Sequence, residues 1–258
     1  ENLWARIDNL DLNQITCLGV KKVASFKVNP LPKFERADDT KIVCLNLDPV
    51  PITLRSTDER NYSYSWKFNG NTLPKNIYQE ESTILIREGG IYSVTATTMD
   101  GTFCSKSVQF SITSSEIASI TQTDLIITDL IGDTGSIEIL TENLGVGDYE
   151  FSLYDKRGPY QDNPYFDKVS PGISKLFIRD KNSCGIAEID ISVLGHMKFF
   201  SPNGDGINDY WKILGVNENF QPKSRIYIYN RFGQLLLYVD PTDQGWDGTF
   251  NGGQLPQD

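Results

Sequence analysis

The chain has 258 residues, 39% hydrophobic and 22% charged, a balance that describes folded globular modules with room for two or three domains. Its net charge of -10 and pI near 4.7 work against a polyanionic partner such as DNA, whose binding rests on lysine and arginine displacing counterions. No run of about 18 apolar residues is present, so no helical membrane span is expected.

The chain opens at Glu1 without a basic-then-apolar leader, so any signal peptide is expected upstream or removed, and the chain is expected to be the C-terminal piece of a longer protein. An internal repeat emerges around its cysteines. Cys17 leads to Val23, Phe26 and Val28, Cys104 to Val108, Phe110 and Ile112, and Cys184 to Ile189, Ile191 and Val193. Each cysteine precedes an alternating strand that closes a unit, and the period of 80 to 90 residues fits small β-sandwich modules in tandem. Residues 1–32 then hold the end of a first repeat, expected to be truncated.

Residues 33–113 are the best-marked module. Tyr62, Tyr64, Trp66 and Phe68 alternate with Ser63, Ser65 and Lys67, the period of two expected where one sheet face packs on a core. Asn69-Gly70 turns the chain, Ile84 and Ile86 make a short strand, and Tyr92, Val94 and Ala96 alternate again. Cys44, Trp66 and Cys104 follow the order that immunoglobulin-like folds use for an intersheet disulfide packed by tryptophan. A Cys44–Cys104 bridge is therefore expected. Residues 114–194 repeat the plan, with strands at Ile137 and Ile139, at Tyr149, Phe151 and Leu153, and at Leu176 and Ile178. Cys184 has no counterpart in its own module. Unless it reaches across a domain boundary, it is expected to be a free or buried thiol, and Cys17 to have lost its partner.

No helical stripe of useful length occurs, so the fold class expected is all-β. Enzyme chemistry finds no foothold. His196 is the single histidine and accompanies no nucleophile motif, and no phosphate loop or dinucleotide fingerprint is present. The chain is expected not to be an enzyme.

The tail, residues 195–258, carries the most specific pattern. Lys198-Phe-Phe-Ser-Pro-Asn-Gly-Asp-Gly-Ile-Asn-Asp-Tyr-Trp211 is followed by a hairpin pattern, Ile226, Ile228, Leu235 and Leu237 about Asn230-Arg-Phe-Gly233, and then by Gly245-Trp-Asp-Gly-Thr-Phe-Asn-Gly252. In this order and spacing the three pieces resemble the type B C-terminal sorting domain of the type IX secretion system, also called the gliding-motility-associated C-terminal domain. The resemblance implies a small β-sandwich after tandem immunoglobulin-like modules, in the C-terminal region of a Bacteroidota surface protein such as a gliding adhesin of the SprB kind. It implies as partners the type IX translocon and a PorP/SprF-like outer-membrane β-barrel protein, with attachment at the outer membrane. Further strands are expected beyond the Trp-Asp-Gly segment, making this domain incomplete at Asp258. A second reading is that these are accessory modules of a secreted polysaccharide-degrading hydrolase with its catalytic domain upstream.

Two readings of the tail's turns stay open. Ser201, Asn203, Asp205, the Ile207 carbonyl and Asp209 alternate as oxygen ligands do in calcium loops, although only two are carboxylates and Lys212 stands where a bidentate glutamate is usual. The other reading is a glycine-rich loop whose Asn and Asp side chains cap its own amides. Trp246 and Asp247 are either a recognition element or a core tryptophan before a turn. Candidate partner-binding residues are Asn203, Asp205, Asn208 and Asp209, the hairpin tip Asn230, Arg231, Phe232 and Gly233, and Trp246 with Asp247.

Overall fold

A computed structural model describes residues 2–5, 21–25, 28–74, 78–80, 82–129 and 134–255. Cys17 and Phe26 lie outside them. The described residues are all-β, with two short 3-10 turns at Gln122–Asp124 and Thr141–Asn143. The chain divides into two compact units, residues 1–43 with 49–113, and residues 44–48 with 114–258.

In the first unit β1 (Asn2–Ala5) pairs with β2 (Lys21–Ser25). The sandwich beyond them uses β3 (Phe34–Arg36), β4 (Ile42–Cys44), β5 (Val50–Ser56), β6 (Tyr62–Phe68), β7 (Asn71–Thr72), β8 (Tyr78–Glu80), β9 (Thr83–Ile86), β10 (Gly90–Thr98) and β11 (Ser105–Ser115). One sheet runs β3-β5-β9-β8 and the other β4-β11-β10-β6-β7. Lettered by chain order, these are A-B-E-D facing A′-G-F-C-C′, the two sheets of an immunoglobulin fold. Ile52, Leu54, Ile84 and Ile86 from the first sheet bury against Trp66, Tyr92, Val94 and Ala96 from the second. The period of two in the sequence is thus a real inward face. Near the start of β10 the Tyr92 hydroxyl donates to the Glu88 carbonyl at 2.8 Å, a tyrosine corner. Burial and the neighbouring Glu88 push the Tyr92 phenol up to about 12.

The expected Cys44–Cys104 bridge is not formed. Cys44 is joined to Cys184, with Cα atoms 5.4 Å apart, and Cys104 is free. Strand geometry gives the reason. In an immunoglobulin core the second cysteine follows the corner tyrosine by two residues, and Val94 fills that place against Trp66. Cys104 lies instead in the turn before β11. Cys44 ends edge strand β4 beside the far end of β11, where the Leu45 amide donates to the Ser115 carbonyl at 2.8 Å. The 11 residues of β11 separate the two positions by roughly 35 Å at about 3.3 Å per residue, far beyond the span of a disulfide. Cys184 is accordingly bonded rather than a thiol, by the exception left open for it, a partner outside residues 114–194.

The second unit begins with β12 (Leu125–Thr128), β13 (Gly135–Ile139), β14 (Tyr149–Leu153), β15 (Tyr165–Val169), β16 (Gly172–Asp180) and β17 (Ile186–Val193). Sheets β12-β13-β15 and β14-β16-β17 correspond to A-B-E facing C-F-G. Their shared core holds Ile137, Ile139, Phe151, Leu176, Ile178 and Ile191. Cys184 sits in the β16–β17 turn, and the buried Asp180 organises that turn. Asp180 Oδ1 accepts the Ser115 hydroxyl at 2.9 Å and the Asp148 amide at 3.2 Å, and its Oδ2 accepts the Cys184 amide at 3.1 Å. The segment joined by the disulfide is fixed locally as well, because Asn46 Oδ1 accepts the Ile117 amide at 3.0 Å. The rest of the unit is short pieces: β18 (Gly195–His196) pairs with β19 (Ile213–Leu214), β20 (Ile226–Tyr229) with β21 (Leu235–Val239), and β22 (Thr249–Phe250) with β23 (Gly253–Gln254).

Non-reducing peptide mapping will recover a Cys44–Cys184 linked peptide, and recovery of Cys44 linked to Cys104 would contradict the fold. Replacing Cys44 and Cys184 together by serine will lower stability by roughly 2–4 kcal/mol in chemical denaturation. Asp180→Ala strands several buried donors and will cost about 3 kcal/mol in the same assay, whereas a loss under about 0.5 kcal/mol, typical of plain surface sites, would refute its organising role.

Candidate functional site

The Ser201–Asp209 loop is folded about its own acidic side chains. Asp209 Oδ1 accepts the amides of Asn203 and Gly204 at 3.0 and 2.7 Å, and Oδ2 accepts that of Gly206 at 2.7 Å. Asp205 Oδ1 accepts the Ile207 amide at 2.7 Å, and Asn203 Oδ1 accepts the Asp205 amide at 3.0 Å. The remaining Asp205 oxygen takes the Asn203 side-chain NH₂ at 2.8 Å. Ser201 and Asn208 close the base, the Ser201 amide donating to the Asn208 carbonyl at 2.7 Å. Gly204 and Gly206 hold φ of +77° and +85°, a region that glycine enters without steric cost.

These contacts answer the calcium question in terms of donors. Calcium wants six to eight oxygens, and here an NH₂ faces the one carboxylate oxygen that takes no amide. Among the described residues no group of three or more His, Cys, Asp or Glu side chains is placed to share a metal. The loop does not fit a calcium cage, and amide capping accounts for its residue types. The Gly204 and Gly206 amides hold the Asp209 carboxyl below its ordinary value.

Trp246 is a packing residue. Its ring lies 5.8 Å from Phe200, and its indole N–H donates to the Thr249 carbonyl at 2.9 Å. Its backbone exchanges two hydrogen bonds with Trp211, at 2.7 and 2.8 Å. A Cβ on Gly245 would stand 2.6 Å from the Trp211 carbonyl oxygen, so this approach requires glycine. Asp247 caps its own turn, accepting the Thr249 amide at 2.9 Å and hydroxyl at 2.8 Å. His196 is exposed and stacked 6.5 Å from Trp211.

At the hairpin tip Asn230 Oδ1 accepts the amides of Phe232 and Gln234, each at 3.0 Å, while the Gly233 amide returns to the Asn230 carbonyl at 2.9 Å. A turn followed by glycine at φ +78° is the three-residue hairpin form with a bulge, and the ladder shifts register between Ile228 and Tyr229. Ile226 and Ile228 are half-buried and Val239 is buried. Leu235 and Leu237 on the facing strand are exposed.

The polar candidates Asn203, Asp205, Asp209, Asn230 and Asp247 each accept at least one backbone amide of their own turn. Several apolar side chains of the tail are exposed. Phe232 is 80% exposed with Arg231 across its ring at 5.1 Å, Phe199 is 70% exposed and Ile207 67%. Tyr227, Tyr229 and Tyr238 are also exposed on the hairpin, with the rings of Tyr227 and Tyr238 5.6 Å apart. These tyrosines were legible in the sequence as the alternation complementary to Ile226 and Ile228. Phe199 and the Ile207 side chain carried no such signal.

Because its pKa lies below the unfolded value of about 4, the bracing by Asp209 is fully present above that pH and is lost as pH falls through the folded pKa. Amide exchange at Gly204 and Gly206, corrected for intrinsic rates, will speed up from pH 6 to pH 3. Asp209→Ala will show the same loss of protection at pH 6. Unchanged protection in that variant would contradict the capping role.

No curated protein sequence matches the chain. Among solved structures it is similar to Sidekick-1 immunoglobulin domains 1–5 (12% identity, TM-score 0.39, covering 81% of this chain and 50% of that one). It is similar also to the insect immune protein hemolin (12%, TM-score 0.35, 67% and 48%) and to the FN1–FN3 domains of chicken CNTN1 (15%, TM-score 0.29, 63% and 68%). The chain spans about half the length of the first of these. The tail matches the family model CHU_C, described as a type IX secretion signal domain, over residues 194–258. Such a signal directs export by the type IX system to the cell surface or outer membrane and implies interaction with that machinery. The chain thus carries, at residues 194–258, a CHU_C type IX secretion signal domain, a type B C-terminal sorting domain.

Proposed function

We propose that the chain is the non-enzymatic stalk and sorting region of a large Bacteroidota surface protein, a gliding-motility adhesin. Residues 194–258 are read by the type IX translocon and afterwards held at the outer membrane by a PorP/SprF-like β-barrel protein. The observation that carries this reading is the sorting-domain match at 194–258, downstream of two sandwiches built on immunoglobulin-like strand orders.

The contact with the export machinery falls on Phe199, Ile207, Phe232 and the tyrosine side of β20–β21. Exposed apolar side chains on a rigid turn gain free energy when covered, whereas the loop carboxylates already hold amides. A non-enzymatic role is supported by the environment of the single histidine, which is exposed and touches Trp211 and the Met197 carbonyl.

The test is a fluorescent reporter with a signal peptide, fused to the chain from residue 194 onward, in cells with a type IX system. Surface display is expected, and a matched fusion carrying only residues 33–193 will stay inside the cell. Export of that second fusion would sink the assignment. Phe232→Asp combined with Tyr229→Asp will reduce display about tenfold, equivalent to about 1.4 kcal/mol of contact, while Asn203→Ala will change it little.

A further inference from the structure

The outer face of sheet β4-β11-β10-β6-β7 is the side that the first unit's core leaves unused. Trp66, Tyr92, Val94 and Ile112 turn inward, so the alternate residues of β6, β10 and β11 turn outward. The registers align them in rows across the three strands. Ser63, Thr97 and Ser105 form one row, and Ser65, Thr95 and Ser107 form the next. Lys67, Ser93 and Gln109 form a third row, which brings the one charge. Six hydroxyls thus occupy a grid with a spacing of about 4.8 Å between strands and roughly 6.7 Å along them. Thr95 and Ser107 are hydrogen-bonded to each other at 2.7 Å. The hydroxyls of Ser63, Ser65, Thr97 and Ser105 have no partner among the described residues.

Strand propensity does not account for this face. Threonine suits a strand, but serine is not among the residues enriched there. The solvated face of an antiparallel sheet is polar and protein surfaces intersperse charges of both signs, yet the two hydroxyl rows carry none, in a chain that is 22% charged.

We propose that this face docks a neutral polysaccharide that presents a flat, repeating array of hydroxyls. A serine or threonine hydroxyl donates one hydrogen bond and accepts two, as a sugar hydroxyl does, so the grid pairs with such a surface without desolvating a charge. Each bond replaces one to water and is weak by itself. A single sugar is therefore not held, whereas many bonds made together on a rigid sheet are. The rows hold no aromatic ring, which removes the large rigid contact that a site for an isolated ring would use. An anionic polymer is disfavoured by the net charge of -10.

The experiment incubates the full chain with amorphous cellulose, agarose and alginate, at about 0.15 M and about 1 M salt, the second of which screens exposed charges. Sedimentation with at least one neutral polymer, unaffected by salt, is expected. The triple variant Ser65→Ala, Thr95→Val, Ser107→Ala will lose about tenfold in retention with an unchanged circular dichroism spectrum and thermal midpoint. The variant Ser65→Thr, Ser107→Thr keeps the hydroxyls and will keep retention. Several results would overturn the proposal: no retention on either neutral polymer, equal retention by the triple variant, or capture by alginate alone at low salt. A concentration-dependent dimer that the triple variant abolishes would assign the face to a second copy of the chain and equally overturn it.

Discussion

Backbone amides that leave a strand ladder still need an acceptor, and in this chain aspartate supplies it. Asp100, Asp240 and Asp247 each accept the amide of the threonine two residues on, and that threonine's hydroxyl donates to the same carboxylate. Asp124 accepts the Thr121 amide and hydroxyl at the start of a 3-10 turn. Asp180 and Asp209 do the same across longer turns. The acidic balance of the chain is therefore partly architectural, since an all-β chain has many turns and each spends an acceptor. The cost is sensitivity to acid. Asp100, Asp124, Asp240 and Asp247 sit below their ordinary values because of these bonds. Each contributes stability that is present above about pH 4 and lost on acidification below it.

How much of this was legible depended on whether a residue's role is set locally or by distant pairing. The alternation from Tyr62 to Phe68 reports one strand and one face, and both are as the sequence implies. The 80-residue spacing of Cys104 and Cys184 is also real, because each lies in the turn before the last strand of its sandwich. Their bonding was not legible. Cys44 ends an edge strand rather than occupying the second strand of the fold, and no local signal distinguishes those places. The same ambiguity affected the Ser201–Asp209 loop. Alternating Asn and Asp with glycine suits both a cation cage and a self-capped turn, and only the direction of each oxygen separates them. The hairpin pattern of Ile226, Ile228, Leu235 and Leu237 is real, but the bulge sets Leu235 opposite the exposed Tyr229, while Leu237 keeps register with Ile228.

The first sandwich holds an immunoglobulin-like core together without an intersheet bridge. Trp66 is fully buried among Val94, Ala96 and Ile52, and the ring of Phe110 meets it edge-on at 6.3 Å. Truncating a buried tryptophan of this kind typically costs 3–5 kcal/mol, as much as a disulfide contributes. Packing alone suffices there, which frees Cys44 to act elsewhere. The bond to Cys184 joins residues 140 apart in sequence. It constrains the short 44–48 segment, whose other ties are a few hydrogen bonds.

The sorting domain obeys the opposite rule. Its pieces are two-stranded, and a lone hairpin is marginal in water. Side chains shared between neighbouring turns supply the missing cohesion: Phe200 lies on Trp246, and Trp211 bridges to Trp246 through the backbone. What remains outside is aromatic, from Tyr227 and Tyr229 to Phe232. A surface of that kind is costly to leave in water and favourable to cover. Turns braced from within hold their shape through their own hydrogen bonds, which lets these rings stay outside.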